Sequence, residues 1–143
     1  MVYYGTRILM SISYIGLDII EIARIQEAVE RWGGRFLRRI YTEEELRLCR
    51  NRAPALAVRF AAKEAVMKAL GTGRVGVGWR DIEVLSNPNG KPLVGLSGRA
   101  REKAEELSMG ELAISLSHSR EYAIASVVGV RIEDRHHRAD EGA

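Results

Sequence analysis

Cysteine is nearly absent from this 143-residue chain: Cys49 stands alone. One thiol can neither close an internal disulfide nor furnish a cysteine-rich zinc site. A reducing compartment, the cytoplasm, is therefore the expectation. Proline is scarce too, at three residues, and no low-complexity linker or internal repeat interrupts the chain. Long apolar runs are missing. The longest, residues 8–17, ends at Asp18, short of the roughly 20 residues that a membrane span needs. It also lacks the small-residue cleavage site of a secretory signal. Neither sign of charge is in large excess. Lys and Arg number 22 and Asp and Glu 19, a net charge of +3 that permits an acidic partner or a phosphate ligand without demanding either.

What is present is the composition of one globular domain, 46% hydrophobic and 29% charged. Residues 1–10 read as a lead-in, residues 11–130 as the folded core and residues 131–143 as a polar tail. The isoleucine-rich stretch 12–22 reads as a strand running through Gly16. Ile22, Ile25, Val29 and Trp32 fall at helical spacing up to the Gly33-Gly34 stop. Phe36, Leu37 and Ile40 suggest a further helical turn or two. Thr42-Glu43-Glu44-Glu45 fits a capping box that opens a short helix carrying Leu46 and Cys49.

Pro54 and Gly71 bracket the next helix at its first turn and just past its end. Its stripe of Val58, Ala61, Ala62, Ala65, Val66, Ala69 and Leu70 is made mostly of small residues, which let another backbone approach closely. This is the expected central buried helix. Residues 81–86 and 93–96 read as strands joined by a hairpin-type loop, and residues 98–107 as a polar helix. Leu112, Ile114 and Leu116 alternate with small residues, the period of a strand. Residues 122–130 are nearly continuously apolar and read as a strand covered on both faces. The order β-α-α-α-β-β-α-β-β is an α+β pattern.

Five places carry chemistry. Asp18 lies in an otherwise apolar strand, where a carboxylate is expensive to bury without a cation or strong donors; the plainer reading is an outward-facing or paired structural aspartate. Phe60, Glu64 and Lys68 share one face of the central helix, and Arg59 and Lys63 the adjacent one. That grouping suits either a solvated ion pair or a metal-binding carboxylate among phosphate-binding cations. Asn89-Gly90-Lys91-Pro92 is a turn whose exposed backbone and lysine suit a nucleotide. Ser117-His118-Ser119 ends a strand. A hydrolytic Ser117–His118 pair is disfavoured, because neighbours on a strand point to opposite faces, whereas a histidine flanked by hydroxyls suits a phosphate. Arg24, Arg31, Arg35 and Arg39, with Arg38, form a basic stretch that suits an acidic partner. Nucleic acid is the weaker reading, since no recognised motif is present and Trp32 and Phe36 fit the apolar stripe. Gly71-Thr72-Gly73-Arg74-Val75-Gly76 matches a dinucleotide fingerprint literally but follows a helix rather than a strand, so that reading is rejected. His136-His137 in the tail is a weak metal signal.

Together these pieces acquire a specific likeness. Gly16-Leu17-Asp18-Ile19-Ile20-Glu21 through Ile25 resembles the opening motif of the holo-[acyl-carrier-protein] synthases, a 4′-phosphopantetheinyl transferase family. Arg59-Phe60-Ala61-Ala62-Lys63-Glu64-Ala65 through Gly73 resembles their second motif, Asn89-Gly90-Lys91-Pro92 their third, and Ser115 through Ala123 their fourth. The four occur in family order across residues 14–130. The resemblance implies a single small α+β domain in which a long central helix packs on an antiparallel sheet. It implies transfer of 4′-phosphopantetheine from coenzyme A to a serine of apo-acyl carrier protein, within fatty acid biosynthesis, with release of adenosine 3′,5′-bisphosphate. It further implies Mg²⁺ on Asp18 and Glu64, and Lys68 near the pyrophosphate. Arg59, His118 and Ser119 would hold the 3′-phosphate, Lys63 and Lys91 would lie among the coenzyme A contacts, and Asn89, Gly90 and Pro92 would border the adenine. A homotrimer with shared active sites is implied as well. The arginine-rich stretch matches in sign the acidic recognition helix of acyl carrier proteins. The alternatives are a non-catalytic coenzyme A or nucleotide-binding module, which would not need Asp18 and Glu64, and a basic adaptor, which would need only the arginines.

Overall fold

A computed structural model of the chain describes residues 12–72 and 76–132. The element order is β1 (Ile12–Glu21), α1 (Ile22–Trp32), α2 (Gly34–Ile40), α3 (Glu43–Cys49), α4 (Ala53–Leu70), β2 (Ile82–Ser86), β3 (Pro92–Leu96), α5 (Gly98–Glu106), β4 (Met109–His118) and β5 (Tyr122–Arg131). The single domain is α+β, with one more helix than the sequence pattern suggests, because the turns around Phe36 and Ile40 close into α2. Alternation at 112–116 marks only the middle of β4. The lead-in, Gly73-Arg74-Val75 and residues 133–143 of the tail, with His136-His137, lie outside the described residues, whereas Arg131 closes β5.

The helix boundaries have local causes. Thr42 Oγ1 accepts the Glu45 N–H while the Glu45 carboxylate accepts the Thr42 N–H, the reciprocal capping box that starts α3. Pro54 occupies the first turn of α4, where its missing N–H costs nothing, and Gly71 ends the helix at φ +74°. Between them α4 is buried nearly all round, as the central helix of a domain must be. Ala61, Ala65 and Val66 pack with Ile82, Val84, Ala125 and Val127 on one side. Leu56, Ala57 and Val58 pack with Ile25, Ile40 and Tyr41 on the other. No helix among the described residues is long and apolar enough to cross a membrane.

β5 is the middle strand of an antiparallel sheet in the order β1-β5-β4, and β2 and β3 form a separate hairpin. The sheet lies across α4 with β1 in very close approach. A Cβ built on Gly16 would stand 1.8 Å from the Ala65 carbonyl oxygen, so only glycine allows the two backbones to meet there. The small-residue stripe on α4 is the matching half of that contact.

One expectation is corrected. Residues 122–130 are not covered on both faces within one chain. Ala123, Ala125 and Val127 are buried, whereas Tyr122 and Ile124, which alternate with them, are exposed. The strand reads as continuously apolar because both faces of this sheet are apolar, and only one of them meets α4. On β1 the same outer face carries Ile15, Leu17 and Ile19, each more than half exposed.

Gly16→Ala is expected to destabilise the domain by about 3 kcal/mol or more, since an overpacked methyl here meets rigid backbone rather than a side chain. Urea unfolding of the full chain checks it; a loss under about 1 kcal/mol would mean that β1 and α4 can move apart freely.

Candidate active site

β1 and α4 together build the first cavity. Asp18 pairs in register with Ala125, a buried residue, so its side chain leaves β1 on the face turned to α4. The outward-facing reading of Asp18 is thereby excluded. Lys68 Nζ donates to Asp18 Oδ1 at 2.9 Å and to the Leu17 carbonyl at 2.9 Å. Asp18 is largely covered, whereas the lysine is about half exposed. Phe60, Glu64 and Lys68 follow one another at helical spacing along α4 and, with Asp18 and Arg24, line a cavity of about 340 Å³. The shared face expected from their spacing is therefore real. Phe60 is braced by stacking on Trp79, with ring centroids 4.8 Å apart.

A second cavity, of about 440 Å³, opens where α4 begins and β4 ends. Arg59 and His118 both line it, with Arg52, Pro54 and Val58 around them. His118 pairs in register with Ala123 and so lies on the inner face, while Ser117 pairs with Ile124 on the outer one. The two side chains diverge, as strand geometry requires, and no Ser117–His118 dyad forms. Arg59 Nε donates to the Val84 carbonyl at 3.0 Å and one Nη to the Ala55 carbonyl at 3.2 Å. Ser119 braces the turn into β5: its Oγ accepts the N–H groups of Glu121 and Tyr122. Arg52 was not singled out by the sequence. Its guanidinium donates to the carbonyls of Cys49 and Leu48 at the end of α3. The available signal was its spacing, seven residues before Arg59 on the approach to the same helix.

Lys63 requires a correction. It does not face a ligand: it is fully buried, and its ammonium donates to Glu45 Oε1 at 2.7 Å, to the Trp79 carbonyl at 3.0 Å and to the Ile82 carbonyl. Desolvation pulls the Lys63 amine below its usual range, against the opposing influence of Glu45. On a helix whose one open face beyond its first turn carries Phe60, Glu64 and Lys68, the adjacent face is interior, not cavity wall. Burial likewise pushes the Tyr41 phenol and the Cys49 thiol up; Tyr41 donates its hydroxyl to the Leu56 carbonyl at 2.7 Å.

Asn89, Gly90, Lys91 and Pro92 line neither cavity. Asn87 Oδ1 accepts the N–H groups of Asn89 and Lys91, and Gly90 sits at φ +83°, so the loop is a fixed turn between β2 and β3. The arginines divide. Arg24 lines the Asp18 cavity. Arg35 and Arg39 line a neighbouring cavity of about 380 Å³ with Trp32 and Phe36, and Phe36 also lines the Asp18 cavity. Arg31 lies over the Trp32 ring, 5.1 Å from its centroid. Trp32 is 54% exposed, so it leaves the apolar stripe that its spacing suggested and joins the basic surface instead.

A family model described as the 4′-phosphopantetheinyl transferase superfamily matches residues 14–127. A holo-[acyl-carrier-protein] synthase of Herpetosiphon aurantiacus is 52% identical over 122 residues, covering 80% of this chain and 96% of that protein. One from Dehalococcoides mccartyi is 56% identical over 115 residues, with the same coverage of 80% and 96%. Among solved structures, the Helicobacter pylori holo-[acyl-carrier-protein] synthase in complex with coenzyme A superposes with a TM-score of 0.74 at 38% identity, covering 80% of this chain and 98% of that one. The Bacillus anthracis synthase in complex with coenzyme A (3′,5′-ADP) gives 0.70 at 36% identity, with 85% and 98% covered. The match spans the residues of both cavities, the β2–β3 hairpin and nearly all of the three-stranded sheet, and on that ground this chain belongs to the 4′-phosphopantetheinyl transferase superfamily.

Proposed function

We propose that the chain is a holo-[acyl-carrier-protein] synthase, moving the 4′-phosphopantetheine of coenzyme A to a serine of an apo-acyl carrier protein in the cytoplasm. The observation that carries this reading is the convergence of Asp18, Glu64 and Lys68 on one cavity, within motifs of a family whose members are synthases. The serine oxygen forms a bond to the phosphorus that bears the pantetheine arm. The bond from that phosphorus to the bridging oxygen breaks, and adenosine 3′,5′-bisphosphate departs with the bridging oxygen. A coenzyme A-binding module would need no pair of carboxylates at that point.

The donor set fits Mg²⁺. Asp18 and Glu64 line the same cavity, and no cluster of three acidic, histidine or cysteine ligands occurs among the described residues. A hard cation held by one or two carboxylates completes its shell with substrate phosphates and water. Asp18 and Glu64 would hold it, and it would supply charge neutralisation at the diphosphate oxygens. Lys68, half exposed at the rim, suits donation to a phosphate oxygen. Arg59 keeps guanidinium N–H groups beyond those given to Val84 and Ala55, and with His118 it suits the 3′-phosphate. A carboxylate of the Asp18 cavity or a water molecule suits the serine proton.

Two partners follow from the surfaces. The Arg35–Arg39 cavity adjoins the Asp18 cavity through Phe36 and suits an acidic carrier helix docked with its serine toward Asp18. The outer sheet face, with Ile15, Leu17, Ile19 and Ile124 exposed, is more apolar than a lone chain leaves to water. A homotrimer would cover it. Ile19 lies on that face and also lines the Asp18 cavity, so a seam there would run beside the site.

Incubation with coenzyme A, Mg²⁺ and apo-carrier protein is expected to give the phosphopantetheine adduct by mass spectrometry. Asp18→Ala and Glu64→Ala are expected to abolish it while melting within about 1 kcal/mol of the parent, because a half-exposed ion pair such as Asp18–Lys68 contributes little to stability. Full activity in both, or in EDTA, would sink the metal assignment.

Charge reversal at Arg35 and Arg39 is expected to raise the carrier KM and flatten its salt dependence without moving the coenzyme A KM. A parallel rise in both would assign these arginines to the nucleotide.

Light scattering is expected to give three copies, and Leu17→Lys to give smaller species. A monomer of full activity at nanomolar concentration would remove the assembly.

A further inference from the structure

We infer that the buried Lys63–Glu45 ion pair is a positioning device for coenzyme A recognition, holding β2 against α4 so that Arg59 and the loop of residues 89–92 keep a fixed relation. The inference rests on the reading of Arg59 as a 3′-phosphate ligand.

The pair sits at the crossing of three elements. Lys63 has zero exposure and distributes its ammonium over Glu45 Oε1, the Trp79 carbonyl and the Ile82 carbonyl, which satisfies all three protons. Glu45 Oε1 also accepts the Thr42 N–H at 2.9 Å, and Oε2 accepts the Val84 N–H at 3.0 Å. Thr42 Oγ1 donates to Glu83 Oε2 at 2.6 Å. Three consecutive residues of β2 are thus gripped: Ile82 by Lys63, Glu83 by Thr42, and Val84 by Glu45 on its N–H. Arg59, one helical turn before Lys63, takes the Val84 carbonyl with Nε. The strand that orients this guanidinium is therefore the strand that the ion pair holds.

The same strand leads into the turn. β2 pairs with β3 through Ser86 and Pro92, and residues 87–91 close the loop between them. A shift of β2 along α4 would move Val84 under Arg59 and the loop together. None of the hydrogen bonds of the pair reaches Asp18, Glu64 or Lys68. Packing alone does not call for the pair, since apolar residues of similar volume often serve stability as well or better. What an apolar pair cannot do is fix which β2 backbone groups face α4. Desolvation of Lys63 is the cost borne for that register.

The test compares the KM for coenzyme A with that for dephospho-coenzyme A in the full chain with Mg²⁺ and carrier. Lys63→Met is expected to shrink the preference for coenzyme A about ten-fold or more, the worth of one charge-assisted hydrogen bond, with kcat on dephospho-coenzyme A little changed. Because Lys63→Met leaves Glu45 charged and unpaired, Glu45→Gln and the double variant Glu45→Gln/Lys63→Met are read beside it, each first shown folded by circular dichroism. The same loss of preference is expected in every folded member of the set. A purely structural role would lower kcat/KM for both substrates in proportion to the folded fraction and leave the preference intact, and that result would overturn the inference. So would failure of all three to fold. Arg59→Ala separates the two levels. If it leaves the preference unchanged, the 3′-phosphate reading falls and this inference with it. If it removes the preference while the folded pair variants keep it, this inference alone falls.

Discussion

The approach of β1 to α4 at Gly16 is the constraint on which the rest of the molecule depends. A strand with any side chain at that position would stand off from the Ala65 carbonyl by the thickness of at least a methyl group. Two residues on, Asp18 would withdraw from Lys68, which sits one turn beyond Glu64 on the helix. Ala65 and Ala69 contribute the other half of the contact. The Asp18 cavity is thus a consequence of packing: its two walls are an apolar strand and an alanine-rich helix pressed together until their few polar side chains meet.

The same helix carries two ion pairs of opposite character. Lys68 and Asp18 meet at a rim where water screens them, so the bond is worth about 1 kcal/mol at most and is readily exchanged for another partner. Lys63 and Glu45 have no exposure at all. Removing one partner there typically costs about 3–5 kcal/mol, because the other charge is left buried and unpaired. A lysine in contact with water can exchange one partner for another; a lysine with no exposure cannot. Five residues apart on α4, the two lysines differ in solvent access.

The surfaces extend this division. The inner face of the sheet meets α4 and forms the core, while its outer face remains apolar and open at Ile15, Leu17 and Ile124. The arginine-bearing helices α1 and α2 flank the Asp18 cavity on another side, with Phe36 shared between that cavity and the one lined by Arg35 and Arg39. A protein partner on the basic surface and further copies of the chain on the apolar face would approach the same cavity from different directions, leaving its mouth for the small substrate.

Short-range signals were legible in the amino-acid order. The Thr42–Glu45 capping box, the Pro54 start and Gly71 stop of α4, and the shared face of Phe60, Glu64 and Lys68 are all set by residues within a turn or two. The four ordered motifs carried the family. Lys63 was misplaced because helical spacing says which residues share a face but not whether that face meets water. The answer lay with Glu45, 18 residues earlier, and with Trp79 and Ile82, 16 and 19 later. The coverage of β5 was misread for a related reason: an apolar strand shows that both faces are apolar, not that both are covered. Local order thus determined the elements and the chemistry available to them. Tertiary structure decided which charges are buried and which remain free, because desolvation depends on residues distant in sequence that arrive only when the helix and the sheets close around them.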